Sequence, residues 1–286
     1  MITAMKKAPV GHQGSVAKIC ERFGLKRDAY YKFKHRNKIA IEASEKVISL
    51  VKDRRKDQPR EGCRKLHEAL QKDFLFYDLK IGESKLFDIL REHDMLIHRK
   101  RSGIRTTNSY HHFHKYTNLI KGLEITRPNQ VWVCDITYIR LVKGFCYLVL
   151  ITDAYSRKIV GYDVSDSLEL AGCLRAFKRA QRHARPARGL IHHSDRGVQY
   201  CSNEYVRLLK KHHVLISMTE ENHCYENAMA ERVNGILKDE FYLDQCFLNV
   251  NLAKGASENA IKIYNSKRLH LSLDYKTPNE VYNMCA

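Results

Sequence analysis

Residues Val131 to Ile139 read Val-Trp-Val-Cys-Asp-Ile-Thr-Tyr-Ile, an apolar and β-branched run broken at its centre by Asp135. No polar/apolar alternation runs through it, so it predicts a central strand buried on both faces of a sheet. A carboxylate there must be hydrogen-bonded, paired or metal-bound, or its pKa rises until it is neutral. The plain alternative is an Asp near a strand end with its head in water. The chain has to build a sheet around this segment, and the residues after it supply one.

Phe145 to Ile151 and Lys158 to Val164 predict two further strands in an antiparallel meander, with turns at Lys143-Gly144 and Ala154 to Arg157. A helix is expected from near Ser167, where Asp166 and Glu169 have capping-box spacing and Leu170, Leu174 and Phe177 form the stripe. The short apolar pair Leu190-Ile191 then runs into His192-His193-Ser194-Asp195-Arg196-Gly197. A helix near 203–212, a strand near 214–218, helices near 227–240 and 251–264, and a helix opened by Thr277-Pro278-Asn279-Glu280 complete the pattern. Three antiparallel strands followed by alternating helices and strands is the order of an α/β, ribonuclease-H-like mixed five-stranded sheet flanked by helices.

Charge divides the chain. The formal net charge is +18, and residues 1–125 hold 28 Lys and Arg against 15 Asp and Glu, while 126–286 hold 22 against 17. A basic excess of this kind favours a polyanionic partner through counterion release, although lysine enrichment also serves solubility. Ser15 to Lys34 reads as two short helices around Gly24, a helix-turn-helix-like segment assigned to 1–38. A basic helical domain with a DNA-binding character is expected over 39–96, with helices near 39–56, 61–73 and 83–93 and a loop or short strand over 74–81. Together these make a small basic α-helical domain of helix-turn-helix type in front of the sheet.

A basic linker is expected over 97–125, and the α/β core with its C-terminal helices over 126–286. Arg99, Lys100, Arg101 and Arg105, with Tyr110, Phe113 and Tyr116 interleaved, suit a phosphate backbone and exposed bases; a solvated linker is the alternative. Nine scattered cysteines with no Cys-x-x-Cys pair argue for reduced thiols. No apolar run approaches the roughly 18 residues of a membrane span and no signal peptide is written at the start, so a cytoplasmic protein is expected.

Asp135, Asp195 and Glu231 fall on the first strand, at the end of the fourth, and on a late helix. Thirty-five residues separate the last two, a spacing that is weak evidence alone. Their settings carry more. Gln130-Val131-Trp132 with Asp135-Ile136-Thr137-Tyr138, then His193-Ser194-Asp195-Arg196-Gly197 with Gln199-Tyr200, resemble the catalytic core of bacterial insertion-sequence transposases of the retroviral-integrase superfamily. Glu226-Asn227-Ala228 with Glu231, Asn234, Leu237-Lys238 and Glu240, and the closing Tyr264-Asn265, Arg268, His270, Ser272-Leu273, Tyr275 and Thr277-Pro278, narrow the resemblance to the insertion-sequence-three family, second-reading-frame product. Glu226 departs from the Asp more usual in that family and keeps the charge.

The resemblance implies DNA cleavage and strand transfer with two Mg²⁺ (or Mn²⁺) ions held by Asp135, Asp195 and Glu231, the catalytic acids. Water attacks in the first step and the element's 3′-hydroxyl in the second. Three acids on different elements suit hard cations that keep positions open for phosphate and water. Lys238, seven residues beyond Glu231 and on the same helix edge, is expected at a phosphate. Arg196, His193, Arg268 and His270 are further DNA-contact candidates; His193 could instead orient Asp195, and the last two could pack the C-terminal helix. The expected partners are element ends and target DNA, further copies of the chain on that DNA, and a first-reading-frame product supplying end binding, with no membrane and a nucleoid association in the bacterial cytoplasm. A nuclease on the same fold would leave no joined product, and a non-catalytic DNA-binding regulator would ignore both Mg²⁺ and loss of Glu231.

Overall fold

The computed structural model describes residues 16–97, 112–220 and 227–284. Its N-terminal part is helical: α1 (Val16–Arg22), α2 (Arg27–Asp57), α3 (Cys63–Ala69), α4 (Gln71–Phe76) and α5 (Glu83–Glu92). Gly24, at φ +64°, makes the expected turn between α1 and α2. The boundary expected at residue 38 is absent, because α2 runs through it as one helix of 31 residues. No Gly or Pro lies between Leu25 and Gln58 to stop it. Its C-terminal half packs Val47, Ile48 and Val51 against Leu66, Leu70 and Phe74 and against Leu86, Ile89 and Leu90. Part of the loop expected over 74–81 is helical instead, as the end of α4.

The expected meander forms. β1 (Val131–Arg140), β2 (Phe145–Asp153) and β3 (Ile159–Ser165) pair antiparallel in chain order, and β4 (Ile191–Ser194) and β5 (Leu215–Met218) add in parallel beyond β1. The sheet order is β3-β2-β1-β4-β5, which makes β1 central, as its apolar residues on both faces require. The rest of the core is α6 (Leu170–Ala184), α7 (Val198–Cys201), α8 (Asn203–Lys211), α9 (Ala228–Glu240), α10 (Val250–Ser266) and α11 (Pro278–Met284).

Alternation along β1 divides the core into two layers. Trp132 and Cys134 pack with Cys173, Ala176, Phe177 and Ala180 of α6, while Ile139 packs with Val233, Ile236 and Leu237 of α9 and with Ala260, Ile261 and Tyr264 of α10. By the same alternation Asp135 is on the α9 side. α6 lies close on β3 because Gly161 has no side chain: a Cβ there would stand 2.5 Å from the Ala176 carbonyl oxygen and 2.6 Å from the Ala180 Cβ. The capping box expected at Asp166 and Glu169 does not form; Glu169 itself precedes the first turn and makes no side-chain cap. At α11 the expected box is made, with Thr277 N and Oγ1 donating to Glu280 Oε2 (2.7 and 2.8 Å) and Glu280 N to Thr277 Oγ1 (3.3 Å).

The described end of the linker, from residue 112, is a strap on the core. Leu119 N donates to Ser217 Oγ (2.8 Å), and Phe113 and Tyr116 pack against the α6-side cluster. Those two aromatic rings therefore serve the core rather than exposed bases. Arg99, Lys100, Arg101 and Arg105 lie outside the described residues. Among the described residues no helix is long and apolar enough to cross a membrane.

Candidate active site

In the parallel pair of β1 and β4, Val133 stands beside His193 and Cys134 beside Ser194. Continuing that register by one residue puts Asp195 beside Asp135 on the α9 side, just where β4 ends. Two carboxylates come together because two parallel strands each place an Asp at the same level. The Asp135 carboxyl is pushed up to about 7, first by burial and then by the neighbouring Asp195 charge, with a smaller contribution from Glu231. Two hydrogen bonds oppose this: Asn234 Nδ2 donates to Asp135 Oδ2 (2.7 Å) and Ile136 N to Asp135 Oδ1 (2.9 Å). Gly197 N donates to Asp195 Oδ1 (2.9 Å), closing the turn after β4.

α9 brings the third acid. Its start is fixed to β1 by Asn227, whose Nδ2 donates to the Cys134 carbonyl (3.1 Å) one residue before Asp135. Glu231 occupies the first turn and is exposed. Asn234 follows it by one helical turn, so the residue that touches Asp135 and the residue that carries the third carboxylate share one helix edge. Among the described residues no three His, Cys, Asp or Glu side chains already converge into a metal-ligating cluster. The three carboxylates share a field without being drawn together. Lys238, further along the same edge, is half-buried with its Nζ 4.4 Å from the centre of the Tyr138 ring. Burial lowers its pKa, and the Asp135 charge opposes that shift.

Several expected DNA contacts are placed elsewhere. His193 is fully buried and bonded through Nδ1 to Ser217 Oγ on β5 (2.8 Å), out of reach of a phosphate. Arg268, 4% exposed, grips Glu240 with two nitrogens (2.8 and 2.7 Å), and His270 is buried beside Tyr264. These two pack the C-terminal elements, the alternative raised for them from the sequence. Arg196 is half-buried and donates through Nε to the Thr219 carbonyl (2.7 Å), which ties the turn after Asp195 to the end of β5. Asn234 and Asn227 hold roles that the sequence motifs alone do not assign. Their signal was available: an amide one turn after Glu231, and another at the helix start.

Two family models, each described as an integrase core domain, match residues 125–224 and 212–278. The insertion element IS600 uncharacterized 31 kDa protein of Shigella sonnei is 33% identical over 91% of this chain and 96% of its own length. The transposase for insertion sequence element IS904 of Lactococcus lactis is 37% identical over 58% of this chain and 67% of its own. The transposase InsF for insertion sequence IS3A of Escherichia coli is 33% identical over 54% of each.

Proposed function

The chain belongs to the insertion-sequence transposases that carry an integrase core, enzymes of DNA transposition, and from that premise we propose that Asp135, Asp195 and Glu231 are its catalytic acids. The observation that carries this reading is the Asn234–Asp135 hydrogen bond: it ties the helix bearing Glu231 to the strand whose Asp stands beside Asp195. The donor set suits a hard divalent cation. All three candidates offer oxygen only, and burial first, then the neighbouring Asp195 charge, raises the Asp135 pKa. Asp135, Asp195 and Glu231 would hold two such ions, and Mg²⁺ or Mn²⁺ fits this chemistry. Bound there, such ions would supply Lewis-acid activation of the attacking oxygen and charge stabilisation of the leaving oxygen.

The side chains have definable tasks. Asn234 Nδ2 holds Asp135 Oδ2 while the Ile136 N–H holds Oδ1, so the carboxylate is oriented before DNA arrives. Lys238, half-desolvated over Tyr138, offers a positive charge to a non-bridging phosphate oxygen. In strand transfer the 3′-hydroxyl of the element end attacks the target phosphorus, a new P–O bond forms, the target strand's 3′-oxygen leaves, and the hydroxyl proton passes to solvent. The nucleophile comes from water or DNA, so no side chain of the protein need become covalently bound. DNA is therefore the partner. Assembly of several copies on it, a first-reading-frame product for end recognition, and residence at the bacterial nucleoid complete the proposal.

The test is joining of a labelled, pre-cleaved element end to plasmid DNA. Wild type is expected to give joined product only with Mg²⁺ or Mn²⁺, and Asp135→Asn and Glu231→Gln to give none. Undiminished joining by either variant would overturn the assignment.

A further inference from the structure

The N-terminal helical part meets the C-terminal end of α9 through charged side chains that, Asp239 apart, are largely taken out of water. Arg60 Nη1 donates to both the Asp239 carbonyl (3.1 Å) and Oδ1 (2.6 Å). Lys65 Nζ donates to Glu240 Oε2 (2.8 Å), and Arg268 closes on the same carboxylate from the other side through Nε and Nη2 (2.8 and 2.7 Å). The Lys65, Glu240 and Arg268 side chains are 9%, 15% and 5% exposed. Beside them, Arg54 Nη2 and Gln58 Nε2 both donate to the Lys267 carbonyl (3.0 and 3.3 Å). The helical part and the end of the catalytic helix are joined by directional bonds rather than by apolar contact alone.

That choice of chemistry has a consequence. A buried ion cluster adds little net stability over a packed apolar interface, yet it is satisfied in one geometry only, so its best-attested use is to fix register. Glu240 is nine residues from Glu231 on one uninterrupted helix, about 14 Å along its axis. An orientation fixed at Glu240 is therefore transmitted rigidly to Lys238, Asn234 and Glu231. Between Ala29 and Ile41, α2 presents Lys32, Lys34, Arg36 and Lys38 to solvent with no acidic residue among them, a surface suited to phosphates.

We infer that the Lys65–Glu240–Arg268 cluster, with Arg60–Asp239, is a positioning device that locks the N-terminal helices to α9 and so selects which phosphodiester reaches Asp135. The inference rests on the proposed catalytic role of the three acids. Phosphates recur about every 3.4 Å along a DNA strand, so a helical part free to slide by that distance moves the cut by one nucleotide. Glu240, Lys65 and Arg60 act through α9 and touch no reacting atom.

The experiment maps the cut on a DNA fragment carrying an uncleaved element end, with the first-reading-frame product supplied throughout, for wild type, Glu240→Gln, Arg60→Gln and Arg60→Lys, and follows amide hydrogen exchange in the last turn of α9. Arg60→Gln leaves the Glu240 cluster intact and guards against a variant that only unfolds. Wild type is expected to cut at a single phosphate. In Glu240→Gln and Arg60→Gln the cuts should spread to neighbouring phosphates, with several-fold faster exchange at the end of α9 and unchanged exchange in β1 and β2. Arg60→Lys, which keeps the charge, should restore the single cut. A single unshifted cut in both Gln variants, or exchange at α9 equal to wild type, overturns the inference. Joining of a supplied, pre-cleaved end is scored in parallel: wild type that fails there refutes the catalytic reading, whereas an unmoved cut in variants that still join refutes only the positioning device.

Discussion

Asp135 is a carboxyl whose surroundings favour its neutral form. Its folded pKa of about 7 lies above the ordinary value near 3.8 because of burial and the Asp195 charge. A carboxyl raised on folding stabilises the fold below its unfolded pKa, and that stabilisation is lost as pH rises through about 7. In chelator, the protein is therefore expected to lose stability between pH 4 and 7, and Asp135→Asn should flatten this slope and stabilise the metal-free protein at pH 7 by on the order of 4 kcal/mol. Mg²⁺ should raise the wild-type melting temperature and leave Asp135→Asn unmoved; melting curves with and without chelator check both. Asn234→Ala removes the hydrogen bond that lowers the Asp135 pKa. It should shift the acid limb of the joining rate to higher pH and raise the Mg²⁺ concentration needed, and a pH profile identical to wild type would refute the orienting role. Asp135 was legible in the sequence because an acid in a doubly buried strand needs a reason. Asn234 was not, because an amide on a helix acquires a role only when the strand beneath that helix is known. His193 and Arg268 misled for the opposite reason: a charged or polar side chain beside a catalytic motif reads like a ligand contact until burial and partners are seen.

At the scale of elements, the central strands were legible because β-branched runs with turn residues between them admit few alternatives. The helices were less so. α2 continues from Arg27 to Asp57 although its first half buries no side chain, and nothing in a polar, breaker-free stretch marks where tertiary support begins. α6 starts three residues later than its apparent capping box, since a Ser/Thr/Asp followed three residues on by Glu is a common spacing that only the local backbone can confirm. What the sequence held but spacing did not reveal is the close approach of α6 to β3 at Gly161. A methyl group there meets backbone oxygen at 2.5 Å, so helix and sheet must separate. Gly161→Ala is expected to cost about 1–3 kcal/mol, as overpacking in a filled core does, and to lower the urea midpoint without changing the slope. A change below a few tenths of a kcal/mol would mean that α6 is free to shift on the sheet.

For the whole molecule, the question is whether the basic helical part and the catalytic core act as one body. The sequence suggested separate units joined by a linker, and charge segregation between the halves supported that division. Arg60 and Lys65 alter it, because they reach across to the carboxylates that end α9. No sequence spacing could pair Lys65 with Glu240, 175 residues away. Glu240 gives this contact a measurable signature. Burial alone would raise its pKa, but hydrogen bonds and charge from Arg268 and Lys65 hold it down at about 2. A carboxyl lowered on folding contributes stability above its unfolded pKa, near 4.5, and that contribution disappears as pH falls toward 2. Its size is on the order of 3 kcal/mol from the two and a half unit difference. Acid titration of wild type should accordingly lose stability steeply between pH 4.5 and 2, the reverse of the sign expected of Asp135 in the pH 4 to 7 range. Glu240→Gln should abolish most of that acid slope while leaving the Asp135 slope in place. If both slopes survived the substitution, the Glu240 carboxylate would not be bearing the contact, and the two halves of the molecule would have to be held together by the Arg60–Asp239 pair and the bonds to the Lys267 carbonyl instead.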